Sequence, residues 1–253
     1  MATEPITGVA SERAAAAEIE RRRQAVATGC RILAANGHND LVWGHASSRD
    51  PDDRGVWLKA NALGLDEIQP QNVMLVDREG QVLHGDGGRH AEYPIHTEIM
   101  AARPDVGGVV HTHPDHCVAM AAAGESLLPL SHAATMFVPP EVPRFTKTGD
   151  LITTSELGRD VAEALGDHNA LLLVNHGIVT VGPDVETAVV RAVILERACK
   201  TQLLVRAHGG YPTWSSREEA LSKRQNIYPE EHLRQVWRYL ERQLPPLREA
   251  GAL

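Results

Sequence analysis

Hydrophobic and polar positions divide this chain into stretches of two periods. From Ser11 to Asn36, Ile19, Val26, Cys30 and Leu33 recur at helical spacing in a background of Ala, Glu and Arg. That pattern predicts an amphipathic helix, and Gly37 follows where a C-cap glycine belongs. The period then shortens. Leu41–Trp43, Val56–Lys59 and Val73–Val76 are apolar runs broken by polar turns, and they read as strands. Arg78-Glu79-Gly80, set between Val73–Asp77 and Gln81–His84, reads as a hairpin turn. Further helices are predicted over Pro94–Arg103, Pro114–Ala123, Ser155–Leu165, Asp184–His208 and Pro229–Gln243. Pro94 and Pro114 suit the first turns of their helices, and Ser155 and Glu156 suit a helix N-terminus. Gly107–His111, Ala170–Val174 and Ile178–Val181 read as strands, and residues 138–149, with Pro139, Pro140 and Pro143, as an irregular connection. Strands, hairpins and helices interleave without a linker or repeat. The expectation is one α/β domain over residues 11–253, with a mixed or antiparallel sheet, a flexible lead at 1–10 and a helical tail.

Composition narrows the class. A chain of 253 residues can bury a substantial core as one domain. Three cysteines cannot build a disulfide framework, which fits a reducing, cytoplasmic setting. The formal charge of −8 argues against nucleic acid or an anionic membrane as a partner. No stretch approaches the ~18 apolar residues of a membrane span. Met1 to Ala10 lacks the basic-then-apolar pattern of a signal peptide. Gly85-Asp86-Gly87-Gly88 reads as a flexible loop and lacks the Gly-Lys-Ser/Thr of a phosphate-cradling loop. What stands out is 13 histidines.

Two of these, His111 and His113, follow the apolar run Val109-Val110. Residues two apart on a strand share a face, so both imidazoles would sit together at a strand end closed by Pro114. Such a pair can hold a divalent ion, and imidazole suits Zn, Mn, Fe or Co. Ligands gather at strand ends in α/β sheets. His176, between Leu171–Val174 and Gly177, is a third candidate, and Glu92 a fourth. Three nitrogens and a carboxylate complete a tetrahedral site, or leave a position for substrate if the carboxylate lets go. Spacing alone leaves the plainer reading open: hydrogen-bonded imidazoles and a solvated carboxylate, with nothing local fixing His176 beside the pair.

Four segments occur in order: Gly44-His45-Ala46-Ser47-Ser48-Arg49, Ala91-Glu92-Tyr93, Val109-Val110-His111-Thr112-His113-Pro114 and Asn175-His176-Gly177. Together, from about residue 20 to 210, they resemble the class II aldolase/adducin family. The resemblance implies a single αβα domain with a central, mainly antiparallel sheet. It implies one divalent metal ion per subunit, held by His111, His113 and His176, with Glu92 binding the metal or moving a proton. It also implies a homotetramer with sites at subunit interfaces and a small anionic substrate.

Departures from the aldolase pattern refine this. Sugar-phosphate aldolases resemble Gly-Asn-x-Ser where this chain has Gly44-His45-Ala46-Ser47, a Thr/Ser-Gly turn where it has Lys59-Ala60-Asn61-Ala62, and a Ser-Ser pair where it has His90-Ala91. Most groups that would bind a phosphate are gone, which makes the chain more similar to the family's decarboxylases of hydroxylated aromatic or heteroaromatic carboxylates, such as 3,4-dihydroxyphthalate or a hydroxypyridine dicarboxylate. In that reading a proton is delivered to the ring carbon and carbon dioxide leaves. Glu92 is the expected proton carrier, with a pKa raised toward neutrality by burial. His45, His90 and His132 are the other candidates, and Ser47, Lys59 and Asn61 join them in binding substrate, Lys59 by pairing with a second carboxylate. Arg49 is expected to be structural, Arg144 to reach a neighbouring subunit, and Cys30, Cys117 and Cys199 to be buried hydrophobes. His38, His84, His96, His116, His168, His208 and His232 are assigned structural or surface roles. Two other functions stay open: an aldolase-type lyase acting on a hydroxy-ketone or sugar derivative, and an adducin-like scaffold. The scaffold predicts lost metal ligands, yet all four are present.

Overall fold

The computed structural model describes residues 7–211 and 213–246. Helix α1 (Thr7–Leu33) leads into a wide turn ended by Gly37, which takes a left-handed φ of +84°. Of the expected lead, residues 1–6 lie outside the described residues, and 7–10 begin α1 rather than precede it. Eight strands follow: β1 (His45–Arg49), β2 (Val56–Lys59), β3 (Val73–Val76), β4 (Val82–His84), β5 (Gly108–Thr112), β6 (Arg144–Phe145), β7 (Ala170–Leu173) and β8 (Gly177–Gly182). They form one sheet in the order β4-β3-β2-β1-β5-β8-β7-β6. Every pairing is antiparallel except β6 with β7. The helices between them are α2 (Tyr93–Ala102), α3 (Asp115–Ala123), α4 (His132–Thr135), α5 (Ser155–Leu165), α6 (Val185–Ala207), α7 (Arg217–Ile227) and α8 (Glu230–Arg242). This is the α/β architecture the sequence implied.

Alternation along the strands makes the sheet the middle of three layers. Trp57, Leu75, Val110, Leu172 and Ile178 point into a core shared with α1, α3, α6 and α8. Their neighbours Leu58, Met74, Val109, Leu171 and Val179 point into a second core closed by α2 and α5. The tail helix α8 buries Leu233 and Leu240 in the first core, so its apolar face is used within this chain. Thr154, Asp184 and Ser216 each accept a hydrogen bond from a first-turn N–H of α5, α6 and α7.

Some expectations need correction. Leu41–Trp43 is no strand: Asp40 and Trp43 close a tight turn, Leu41 has φ +50°, and Leu41 and Trp43 are exposed. β1 was not anticipated, because its sequence His-Ala-Ser-Ser-Arg is polar although its first four residues are buried. Helices α4 and α7 were also missed, and β6 lies inside the segment expected to be irregular. Arg144 does not reach outward. It donates to the carbonyls of Met120, Ala121 and Glu125 and so caps α3. Arg49 is structural as expected, donating to the carbonyls of Met100, Arg103 and Val106 at the end of α2. All three cysteines are buried.

Candidate active site

β5 carries His111 on the face turned toward α2, and the chain then ends the strand with His113. Across the sheet, His45 of β1 pairs in register with His111. On the other side, β8 begins at Gly177, where a Cβ would lie 2.5 Å from the Thr112 carbonyl oxygen and 2.6 Å from the His113 ring. Only glycine lets the two strands approach so closely. The preceding Asn175 has φ +58°, and this left-handed turn delivers His176 beside the pair. Glu92 occupies the residue before α2, so the helix start carries the carboxylate to the same point.

The four groups converge. One ligand atom from each of Glu92, His111, His113 and His176 lies within 4.8 Å of all the others. His111 donates from Nδ1 to the Ile178 carbonyl at 2.9 Å, and His113 donates from Nδ1 to Asp40 at 2.9 Å. With Nδ1 donating in both rings, the two Nε2 atoms face each other 3.1 Å apart and can present lone pairs to an ion. Glu92 stands 3.5 Å from Nε2 of His111 and 3.5 Å from Nε2 of His176. Both ring nitrogens of His176 are buried without a hydrogen-bond partner, which is costly for a neutral imidazole. Ligands about 2.1 Å from a tetrahedral ion sit roughly 3.4 Å from one another. Facing lone pairs, a partnerless buried imidazole and these separations fit a divalent cation held by three histidines and Glu92.

Burial and neighbouring groups shift two members of the set. Burial pushes the His113 imidazole down to about 4, aided by neighbouring His111 and opposed by Asp40. Burial alone would raise the Glu92 carboxyl, but the imidazoles of His111 and His176, each 3.5 Å away, lower it by more, to well below the usual carboxylate range. The carboxylate is ionised, the opposite of the upward shift expected from burial, because the nearby imidazoles outweigh it. Its Oε1 also accepts the Ile152 N–H at 2.8 Å.

A cavity of about 490 Å³ opens over this cluster. His45, His90, His113, His176 and Glu92 line it with Asp40, Asp115, Trp43, Leu151 and Val118. Behind His45 runs a hydrogen-bonded chain: its Nδ1 meets Nε2 of His96 at 2.6 Å, and Nδ1 of His96 meets the Ser47 hydroxyl at 2.6 Å. Burial, reinforced by neighbouring imidazoles, pushes His45 and His96 well below the ordinary histidine range, so both are neutral. His90, 4.5 Å from His45 between ring centres, is pushed down to about 3 by burial and by Lys59.

The other candidates are placed differently. Ser47 lies behind His45 and does not line the cavity. Lys59 is fully buried behind His90. Asn61 is exposed and its backbone N–H bonds to Gly88, and His132 is exposed at the start of α4; neither lines the cavity of this chain. Two residues with a direct part were not foreseen. Asp40 orients His113, and His96 is entirely buried against His45. For His96 a signal existed: it stands four residues after Glu92, on the same helical face.

The chain is similar to known proteins in sequence and in fold. Residues 24–203 match the family model "Class II Aldolase and Adducin N-terminal domain". A 3,4-dihydroxyphthalate decarboxylase of Arthrobacter keyseri is 32% identical over 74% of this chain and 80% of its own length. The enzyme of the same name in Rhodococcus jostii is 33% identical over 76% of this chain and 84% of its own. Among solved structures, the L-fuculose 1-phosphate aldolase of Glaciozyma antarctica superposes with a TM-score of 0.78 at 26% identity, covering 90% of this chain and 91% of that one.

Proposed function

This chain belongs to the class II aldolase and adducin family, and from that premise we propose that it is a divalent-metal-dependent carboxy-lyase acting on a hydroxylated aromatic or heteroaromatic carboxylate such as 3,4-dihydroxyphthalate. The observation that carries this reading is the cavity wall beside the cluster. It is built from the imidazoles of His45 and His90 and the apolar side chains of Trp43, Leu151 and Val118, with no lysine or arginine among its lining residues. Flat walls and neutral donors suit an aromatic acid better than a phosphate. Decarboxylase relatives at 32% and 33% identity support the same choice.

In this proposal His111, His113, His176 and Glu92 hold the divalent ion, which supplies Lewis-acid stabilisation of negative charge on a substrate oxygen. Ionised Glu92 takes the proton of the ring hydroxyl and returns it to the ring carbon that bears the neighbouring carboxylate. That carbon becomes tetrahedral and the hydroxyl carbon a ketone. The carbon–carboxylate bond then breaks, carbon dioxide leaves, and the bonding pair re-forms the aromatic phenolate, which regains a proton from water. Trp43 and Leu151 flank the ring, and the neutral His45 and His90 present hydrogen bonds to its oxygens. The fold likeness to a sugar-phosphate aldolase supports a second reading, retro-aldol cleavage, which needs phosphate-binding groups that this chain mostly lacks.

The test is direct. Protein loaded with Mn or Zn is expected to convert 3,4-dihydroxyphthalate into carbon dioxide and 3,4-dihydroxybenzoate. Cleavage of a phosphorylated sugar, with no carbon dioxide from hydroxyaromatic acids, would overturn the proposal. We also propose a homotetramer in the cytoplasm, serving aromatic catabolism. Among the described residues no helix is long and apolar enough to cross a membrane. Sedimentation at the mass of one chain would contradict the tetramer.

A further inference from the structure

Lys59 is the one fully buried lysine of the sheet, and its ammonium is matched on three sides. The Val42 carbonyl lies 3.1 Å away, the Ala60 carbonyl 3.1 Å and His90 Nε2 3.1 Å. An ammonium has three N–H bonds and no lone pair, so it can meet His90 only where the ring nitrogen is bare. The ring proton then sits on Nδ1. The Ala60 carbonyl also lies 3.2 Å from Nε2, so the opposite tautomer has an acceptor available. That tautomer would set an N–H against the ammonium and leave one lysine hydrogen unmatched, and a buried donor without a partner is costly. His90 itself lines the cavity, whereas Lys59 does not.

We propose, resting on the decarboxylase reading, that Lys59 is a positioning residue: it fixes His90 as an Nδ1–H donor, and His90 binds the ring carboxylate that the reaction leaves in place. In 3,4-dihydroxyphthalate the carboxylate beside a hydroxyl departs and the other stays. The staying carboxylate enters a cavity already lined by Asp40, Glu92 and Asp115, with no lysine or arginine side chain in its wall. A donor backed by a buried ammonium offsets that repulsion, while the ammonium itself stays dry and out of reach. Lys59 thus acts through His90 instead of pairing with the substrate carboxylate directly.

Two measurements test this. The first is ¹⁵N NMR of histidine-labelled wild-type protein. The His90 ring is expected to show a protonated Nδ1 and a bare Nε2, and the reverse pattern overturns the proposal even if every lysine variant fails to fold. The second is calorimetric titration with 3,4-dihydroxybenzoate and with 1,2-dihydroxybenzene, which lacks the carboxylate. Lys59→Met and His90→Ala are each expected to weaken 3,4-dihydroxybenzoate about tenfold and to change 1,2-dihydroxybenzene less than about twofold. In the His90→Ala background, Lys59→Met should cost less than about twofold more, because the two act as one unit. A further tenfold loss in that background, or equal losses for both probes, overturns it. Wild-type protein that releases carbon dioxide but shows bare Nδ1 fails this proposal alone. Protein that binds neither probe and releases no carbon dioxide fails the decarboxylase reading and the carboxylate half of this one.

Discussion

β5 and β1 lie side by side with His111 and His45 in register, yet their imidazoles are prepared for different work. Behind the β5 pair stand groups that can only accept a hydrogen bond, the Ile178 carbonyl and the Asp40 carboxylate. These fix Nδ1–H and turn bare Nε2 atoms forward, the state a cation needs. Behind His45 stands His96, and behind that the Ser47 hydroxyl, each able to donate or accept. That chain holds His45 in place without committing its front nitrogen. The same side chain on adjacent strands becomes a ligand or a hydrogen-bonding group according to what sits behind it.

Four experiments break or sharpen that contrast. The largest effect is expected for Glu92→Gln, which should retain the metal and lower kcat by about 10³-fold, since proton transfer by a positioned group contributes about 10²–10⁴. Full turnover in this variant would remove Glu92 from proton transfer. Next, His111→Ala should weaken metal binding by more than about 100-fold while circular dichroism shows an unchanged fold. Third, metal-free protein should lose stability in mild acid. Burial pushes His38 from 6.5 down to about 4, with Glu196 opposing. Its contribution is complete above pH 6.5 and is lost as the pH falls toward 4, because the unfolded chain takes up the proton first. By pH 5 the loss from this residue is about 2 kcal/mol. Urea midpoints should fall accordingly, and less steeply in His38→Gln. The smallest effect is Ser47→Ala, which leaves His96 Nδ1 without its partner and should cost about 1 kcal/mol of stability with metal affinity unchanged. A fall in metal affinity would mean the β1 chain also supports the ligands.

How far the sequence could be read follows from the same contrast. β5 announces itself as Val109-Val110 before His-x-His, since apolar residues precede its histidines. β1 does not, because His45, Ser47 and Ser48 are buried by their partners on α2 and β2, and partners are a tertiary property. Asp40 escaped notice for the same reason: it sits 73 positions from His113. The third candidate ligand, His176, could be matched only by resemblance, because its place depends on how closely Gly177 lets β8 approach β5. Lys59 was visible as a residue, but its burial behind His90 was not. The long helices α1, α5 and α6 were legible from spacing and capping, whereas α7 was hidden by a polar sequence with a single buried residue, Ala220.

The central claim is that His111, His113, His176 and Glu92 hold one divalent ion. Metal analysis of protein purified without added metal tests it most directly, and about one equivalent per chain, abolished in His111→Ala, is the expected result. Less than about a tenth of an equivalent, with no binding restored by added Mn or Zn, would contradict the account.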